Sequence, residues 1–333
     1  YGQALLSRWW PSATSTFKEA KVALNRAIEL DPKSDQAYQL RSGVHNALAE
    51  YEQAISDLKM AVLLAPDNAD FHNELSRLLC WVRDPMIQDP ALALRHAKEA
   101  VRIDPQEYRY RYGLGKTYEA NEKNDSAIAE FETAIKLASS RIDAYRAQVE
   151  IYNLTGDDRR LIETATKVIE LSEVPWVRWR RACAYIARGE LDKAMADLNR
   201  AQELEPNNCN VYSRRAVLHA RQGNHRQALA DFAKAMELAP RASYQYKYRG
   251  EIYFSMGELG KALADYNKAV ELNPPLAIAY MRRAHTYFRL GNYERSLADL
   301  RRAAELKPEH LGLLTEIPPE EVSQCPEVFR SGL

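Results

Sequence analysis

The sequence has 333 residues, 46% of them hydrophobic, and its 46 Lys and Arg balance 46 Asp and Glu, so it carries no net charge. A neutral chain gives no bulk electrostatic reason to expect nucleic acid, and no apolar run approaches the ~18 residues of a membrane span. The four cysteines, Cys80, Cys183, Cys209 and Cys325, form no C-x-x-C pair. That spacing argues against zinc or a disulfide framework and for free thiols in a reducing, cytoplasmic setting.

Length alone would suggest two or three compact domains. A recurring stretch argues instead for one elongated domain. It appears first as AKVALNRAIELDP, ending at Pro32, where a second helix is predicted from about Thr16 to Leu30. The first helix of this unit, residues 1–34, is short because Pro11 follows Trp9 and Trp10, which are expected to cap the next unit. Residues 35–68 are regular, with Tyr38, Ala54, Leu58, Ala61 and Pro66. Residues 69–107 are five residues too long, and the extra length falls in WVRDPMIQDP, Trp81 to Pro90. Two prolines there rule out a simple helical extension, and the loop is expected to pack back on its scaffold.

Residues 108–141 keep Leu114, Gly115, Tyr118, Ala127, Phe131 and Ala134, with Ser139 in place of the proline. Residues 142–174 are the most degenerate unit: Leu161 stands at a position that is small elsewhere, and the ending reads ELSEVP. The weakest link of the stack is expected there. Four regular units follow, at 175–208, 209–242, 243–276 and 277–310; their second helices read AMADLNRAQELEP, ALADFAKAMELAP, ALADYNKAVELNP and SLADLRRAAELKP, closing at Pro206, Pro240, Pro274 and Pro308. A constant spacing of this size signals a stacked array. Ala262, Tyr266 and Ala269 lie on one helix face, and the proline follows where its missing N–H breaks no ladder bond. A turn at Gly257 joins this helix to an earlier one carrying Tyr246, Gly250 and Tyr253. Each unit is therefore a helical hairpin that must stack to bury its face. Beyond it, residues 311–333 are expected to form a capping segment and tail, with a short helix near Glu309 to Thr315 and no long helix past Pro318, Pro319 and Pro326.

These in-phase positions resemble the tetratricopeptide repeat. Tyr246, Gly250, Tyr253, Ala262, Tyr266, Ala269 and Pro274 match the family pattern, as do Tyr212, Ala216, Ala228, Phe232, Ala235 and Pro240. The resemblance covers about residues 1–310. It implies an all-α, right-handed superhelical solenoid of stacked helix-turn-helix hairpins, and a binding role rather than a reaction. No HExxH, GxSxG, P-loop or GxGxxG is present. No catalytic residue, metal ligand or cofactor is therefore expected, and the chain is read as a non-enzymatic scaffold for a peptide or protein. The alternative is the regulatory or substrate-recruiting arm of a larger enzyme, a kinase or transferase, since the chain begins at Tyr1 rather than Met and leaves open an upstream leader or domain.

In the resembling family, one stripe of the first helices lines the concave surface. From residue 175 onward that stripe turns aromatic and basic, and the ligand is expected on Trp176, Trp179, Arg180, Arg214, Tyr244, Lys247, Tyr248 and Arg282. The opposing view is that Trp176 and Trp179 fill the gap left by the degenerate unit. Residues 1–174 hold 22 Lys and Arg against 27 Asp and Glu, and residues 175–333 hold 24 against 19. The positive half favours a partner segment with acidic and apolar side chains; neither nucleic acid nor a membrane is expected. The Lys and Asn pattern of the family's chaperone carboxylate clamp is missing, since Lys247 is followed by Glu251. A further row, Arg181, Arg215, Arg249 and Arg283, stands where the family usually has Leu. It admits two readings: a ladder for an acidic ligand, or stems laid between helices with each head on a neighbouring carboxylate.

Overall fold

A computed structural model describes residues 13–82 and 87–306. The described residues are helical apart from turns and short connections, in seventeen α-helices. The chain divides into two compact units, Tyr1–Pro206 and Asn207–Leu333.

Unit 1 begins with α1, Ala13–Leu30, and continues with five hairpins. These are α2 (Asp35–Ala47) with α3 (Tyr51–Leu64), α4 (Ala69–Trp81) with α5 (Pro90–Ile103), α6 (Tyr108–Ala120) with α7 (Asn124–Leu137), α8 (Arg141–Thr155) with α9 (Asp158–Leu171), and α10 (Pro175–Ala187) with α11 (Leu191–Leu204). Unit 2 holds three: α12 (Cys209–Arg221) with α13 (His225–Leu238), α14 (Ser243–Ser255) with α15 (Leu259–Leu272), and α16 (Ala277–Arg289) with α17 (Tyr293–Leu306). None of these helices is long and apolar enough to cross a membrane. The expected capping roles of Trp9, Trp10 and Glu309–Thr315 lie outside the described residues.

Side-chain caps start many of the helices. Ser34 Oγ accepts from the Ala37 N–H, Asn68 from Asp70 and Phe71, Ser140 from Asp143 and Asp157 from Arg160. Each cap satisfies N–H groups that the helix itself cannot. The proline of ELSEVP is Pro175, and it opens α10 rather than closing α9; a missing N–H is harmless at that first position. In the long unit α4 stops at Trp81, Asp89 caps α5, and Ile87 packs against the cluster of Leu75, Leu79 and Ala93, as expected of a segment folded back on the scaffold.

Within a hairpin the two helices touch through small residues. Ala54, Ala61, Ala127, Ala134, Ala194, Ala201, Ala228, Ala235, Ala262 and Ala269 are all fully buried. Facing them, Gly115 and Gly250 leave room for a ring: a Cβ on either would stand 2.7 Å from Phe131 or Tyr266. The turn between the two helices needs one residue in the left-handed region. Gly156, Gly189, Gly223, Gly257 and Gly291 fill it with φ of 70–76°, whereas Ala49 and Glu122 adopt φ of 60° and 58° in α2–α3 and α6–α7; the longer α4–α5 connection has no glycine.

Candidate functional site

The second of the two readings of the arginine row holds throughout. Arg181, Arg215, Arg249 and Arg283 each grip an aspartate sixteen residues on, at Asp197, Asp231, Asp265 and Asp299. Arg41 does the same with Asp57. In every case Nε and Nη2 donate in parallel to the two carboxylate oxygens at 2.6–2.8 Å. The arginine is on the first helix and the aspartate on the second, so the fork ties a hairpin together with the geometry that makes bidentate pairs strong. The five aspartates are buried, 4–7% exposed, which such a carboxylate tolerates only when paired. The remaining nitrogen reaches the preceding helix: Arg41 Nη1 donates to Asn25 on α1, Arg181 to Thr166 on α9 and Arg283 to Asn267 on α15, at 2.8–2.9 Å. Sequence reasoning overlooked these aspartates, although each is the D of a recurring ISD, MAD or LAD.

The eight candidate ligand residues divide between the units. In unit 1, Trp176 packs against the cluster of Val149, Leu161, Ala165 and Val168, with the Arg146 guanidinium 5.8 Å from its ring. It fills the space beside the degenerate hairpin. Arg180 stacks on Trp179 at 4.8 Å and enters a buried charge network. Its Nη2 donates to Glu119 at 3.0 Å and to Glu150 at 2.9 Å, and Nη1 donates to Asn153 at 3.2 Å. Lys116 meets Glu150 at 3.1 Å and also pairs with Glu119, while Tyr112 Oη donates to Glu150 at 3.1 Å. Burial alone would push the Glu150 carboxyl up, but Lys116 and Arg180 outweigh it and hold it below the usual carboxylate range. The Tyr112 hydroxyl, buried beside that carboxylate, is pushed far up. Two cations thus face two carboxylates on α6, α8 and α10, and Arg180 is committed inside the fold.

Unit 2 holds Arg214, Tyr244, Lys247, Tyr248 and Arg282. Its first helices α12, α14 and α16 lie side by side. Tyr244 Oη donates to Asn210 at 2.9 Å; the Phe254 and His285 rings are 4.8 Å apart; and Arg282 Nε donates to Glu251 at 3.2 Å. Burial pushes the Tyr244 hydroxyl up to about 12, so it stays a neutral donor. Lys247 Nζ lies 3.5 Å from the Tyr248 ring centroid and 3.6 Å from Glu251, and Tyr248 stacks on Phe232. Arg214 is exposed. A cavity of about 250 Å³ opens between Glu251, Phe254, Tyr266, Arg282 and His285. Residues three, four and seven apart share a helix face, so Arg214 and Arg221, then Lys247 and Glu251, then Arg282 and Arg289 continue one stripe. The described stripe holds five cations and one carboxylate. Among the described residues, no three His, Cys, Asp or Glu side chains are grouped to hold a metal ion.

Hairpins of this length, with small residues where their helices meet and a left-handed turn in seven of the eight described, define an all-α helical-repeat protein. Family models described as TPR repeat or tetratricopeptide repeat match residues 87–142, 183–223, 209–242, 250–291 and 277–310. The chain belongs to the tetratricopeptide-repeat family. It is 23% identical over 195 residues to anaphase-promoting complex subunit 3 of Schizosaccharomyces pombe, covering 58% of this chain and 24% of that protein. It is 23% identical over 204 residues to superkiller complex protein 3 of Mus musculus, covering 60% of this chain and 13% of that protein. The chain thus spans a quarter or less of these curated relatives. Among solved structures, the Cut9–Hcn1 hetero-tetramer of the APC/C shares the fold at TM-score 0.69 and 13% identity, over 91% of this chain and 58% of that one. The human IFIT1 dimer with PPP-AAAA shares it at TM-score 0.61 and 14% identity, over 82% and 72%.

Proposed function

We propose that the chain is a non-enzymatic interaction scaffold, and that the first-helix face of unit 2 binds a protein segment with acidic and apolar side chains. The observation that carries this reading is the stripe of Arg214, Arg221, Lys247, Arg282 and Arg289 around a single carboxylate, Glu251, with Phe254 and His285 beside the cavity. Arginine and aromatic side chains supply much of the binding energy at interfaces, and a basic stripe selects an acidic partner. Two relatives are, by name, subunits of protein complexes, which agrees with a binding role. Trp176, Trp179 and Arg180 support the stack instead, because packing and the Glu150 network already engage them.

The test compares the proteins recovered from the native source by the wild-type chain and by an Arg214→Glu/Arg289→Glu variant, both at exposed positions. Direct partners should be depleted at least about five-fold on the variant, equivalent to about 1 kcal/mol, and Arg226→Glu should leave them unchanged. Equal recovery by all three chains, with helicity intact, would remove this face from the function. A second reading, a recruiting arm of a larger enzyme, is favoured by the small share of each curated relative that the chain spans. It shares the same face and differs in what lies outside these residues.

A further inference from the structure

The basic face of unit 2 has an acidic counterpart in the same chain. Residues 207–306 carry 16 Lys and Arg against 9 Asp and Glu. Three of those carboxylates, Asp231, Asp265 and Asp299, are taken up in arginine forks. Four more, Glu237, Glu258, Glu271 and Glu305, pair along their own helices with Lys234, Lys261, Lys268 and Arg302. Glu294 stands in the first turn of α17, and the face itself keeps only Glu251, which meets both Lys247 and Arg282. Residues 307–333 reverse the balance: Lys307 and Arg330 stand against Glu309, Glu316, Glu320, Glu321 and Glu327. Apolar side chains are interleaved with these glutamates, at Ile317, Val322, Val328 and Phe329. That is the partner chemistry the face selects.

Reach is no obstacle. The 27 residues after Leu306 can extend to about 90 Å, and α16 is packed directly against α17, from whose end they leave. A segment tethered this closely acts at an effective concentration on the order of millimolar.

We propose that Glu316–Phe329 is an intramolecular ligand of the first-helix face formed by α12, α14 and α16. This contact is autoinhibitory and rests on the reading of that face as a site for acidic, apolar segments. Glutamates of the segment lie along Arg214, Lys247, Arg282 and Arg289, and one apolar side chain enters the cavity between Phe254 and His285. An outside partner must displace the segment, so its apparent affinity falls by the fraction of chains in which the face is already covered. A segment with a dissociation constant of about 0.1 mM, held at about 1 mM, would weaken such a partner roughly ten-fold.

The experiment uses the full chain with p-benzoylphenylalanine in place of Phe254. Irradiation at low salt should join this position to residues within 316–329 of the same molecule, with a yield independent of dilution. The yield should drop at least five-fold in about 0.5 M salt, where screening is strong, and as much in a Glu316→Lys/Glu320→Lys/Glu321→Lys variant. A labelled synthetic peptide of residues 316–329 is titrated in parallel into that triple variant, with and without Arg214→Glu/Arg289→Glu. Peptide binding that needs these arginines, without cross-links in the intact chain, would overturn the intramolecular contact and leave the proposed function standing. Cross-links that weaken on dilution would overturn it in favour of a second copy's segment. Cross-links that ignore salt and charge reversal, or a peptide that fails to bind, would overturn the contact and its charge basis together.

Discussion

The hairpins α2–α3, α10–α11 and those of unit 2 bury charge in one way, and the hairpins from α4 to α9 bury it in others. In the first group an arginine and an aspartate sixteen residues apart close a single hairpin, and each hairpin can satisfy its own charges. In the second group the arginine's position is taken by Leu75, Leu114 and Gln148. The α4–α5 hairpin joins its helices through His72 and His96, whose Nδ1 atoms are 3.0 Å apart. The α6–α7 hairpin uses Arg111 and Glu130 at 3.1 Å. The α8–α9 hairpin carries Glu150, whose charge is balanced only by residues of the hairpins on either side, Lys116 and Arg180. Irregular sequence here does not mean missing ties. The Glu150 tie runs between hairpins, so α6, α8 and α10 should respond to substitution there as one body, whereas a hairpin closed by its own arginine fork should respond more locally.

The largest effect should come from Glu150. Glu150→Ala leaves Lys116 and Arg180 sharing Glu119, in a site where Glu150 itself is 2% exposed. Removing one partner of a buried ionic group typically costs about 3–5 kcal/mol. Urea denaturation should show a loss of this order, and hydrogen exchange should accelerate in α6 and α10 as well as in α8. A loss under about 1 kcal/mol, or one confined to α8, would break the contrast drawn above.

Asp265→Ala comes next. It strands the Arg249 fork, but that side chain is 26% exposed and water can reach it, so a loss of about 2 kcal/mol is expected. Arg249 is also the fork without a partner residue from the preceding hairpin, where Ala233 takes the place of Asn25, Thr166 or Asn267. Its effect should therefore stay within α14 and α15. An Arg249→Met/Asp265→Leu pair should recover most of the loss, because a buried ion pair replaced whole by apolar residues is often close to neutral.

How much of this could be read from the sequence follows from what each feature depends on. The hairpins were legible because alanine at Ala228, Ala235, Ala262 and Ala269, and glycine at Gly223 and Gly257, recur in phase, and phase is a property of sequence alone. The forks were half legible: the arginines were singled out, and their aspartates stood in plain view at a fixed spacing. The Glu150 network was not legible, since Lys116, Glu150 and Arg180 are some thirty residues apart and meet only once three hairpins are stacked. The fate of Trp176 and Arg180 was hidden for the same reason: an aromatic or cation on a first-helix stripe faces a ligand or a neighbouring hairpin according to what that neighbour lacks.

The His72–His96 pair sharpens the comparison through pH. His72 Nε2 donates to the Pro66 carbonyl at 3.0 Å, and its Nδ1 faces His96 Nδ1 at 3.0 Å. Burial lowers His96 to about 4, and the neighbouring His72 ring adds to the effect. A histidine depressed in the folded state contributes stability above its unfolded value near 6.5, and that stability is lost as pH falls from there towards 4. Between pH 7 and 5 the wild-type chain should lose about 1 kcal/mol more than a His96→Gln variant. Parallel pH profiles would show that the pair does not act as a tie.

The smallest effect should be a gain. Glu122 ends the turn between α6 and α7 at φ 58°, where the hairpins from α8 to α17 have glycine at φ of 70–76°. An L-residue in the left-handed region carries roughly 1–2 kcal/mol of strain that glycine does not, and the unfolded-state freedom of glycine gives back part of that difference. Glu122→Gly should therefore stabilise the chain by about 0.5–1 kcal/mol, read as a shift of the urea midpoint at unchanged slope. Ala49→Gly in the α2–α3 hairpin is the matched control, since that hairpin is closed by the Arg41–Asp57 fork. If hairpins tied to their neighbours share strain more widely than fork-closed ones, Glu122→Gly should also slow hydrogen exchange in α8, while the gain from Ala49→Gly stays within α2 and α3. Equal, local responses at both turns would mean that the two kinds of tie do not differ in how far they transmit strain.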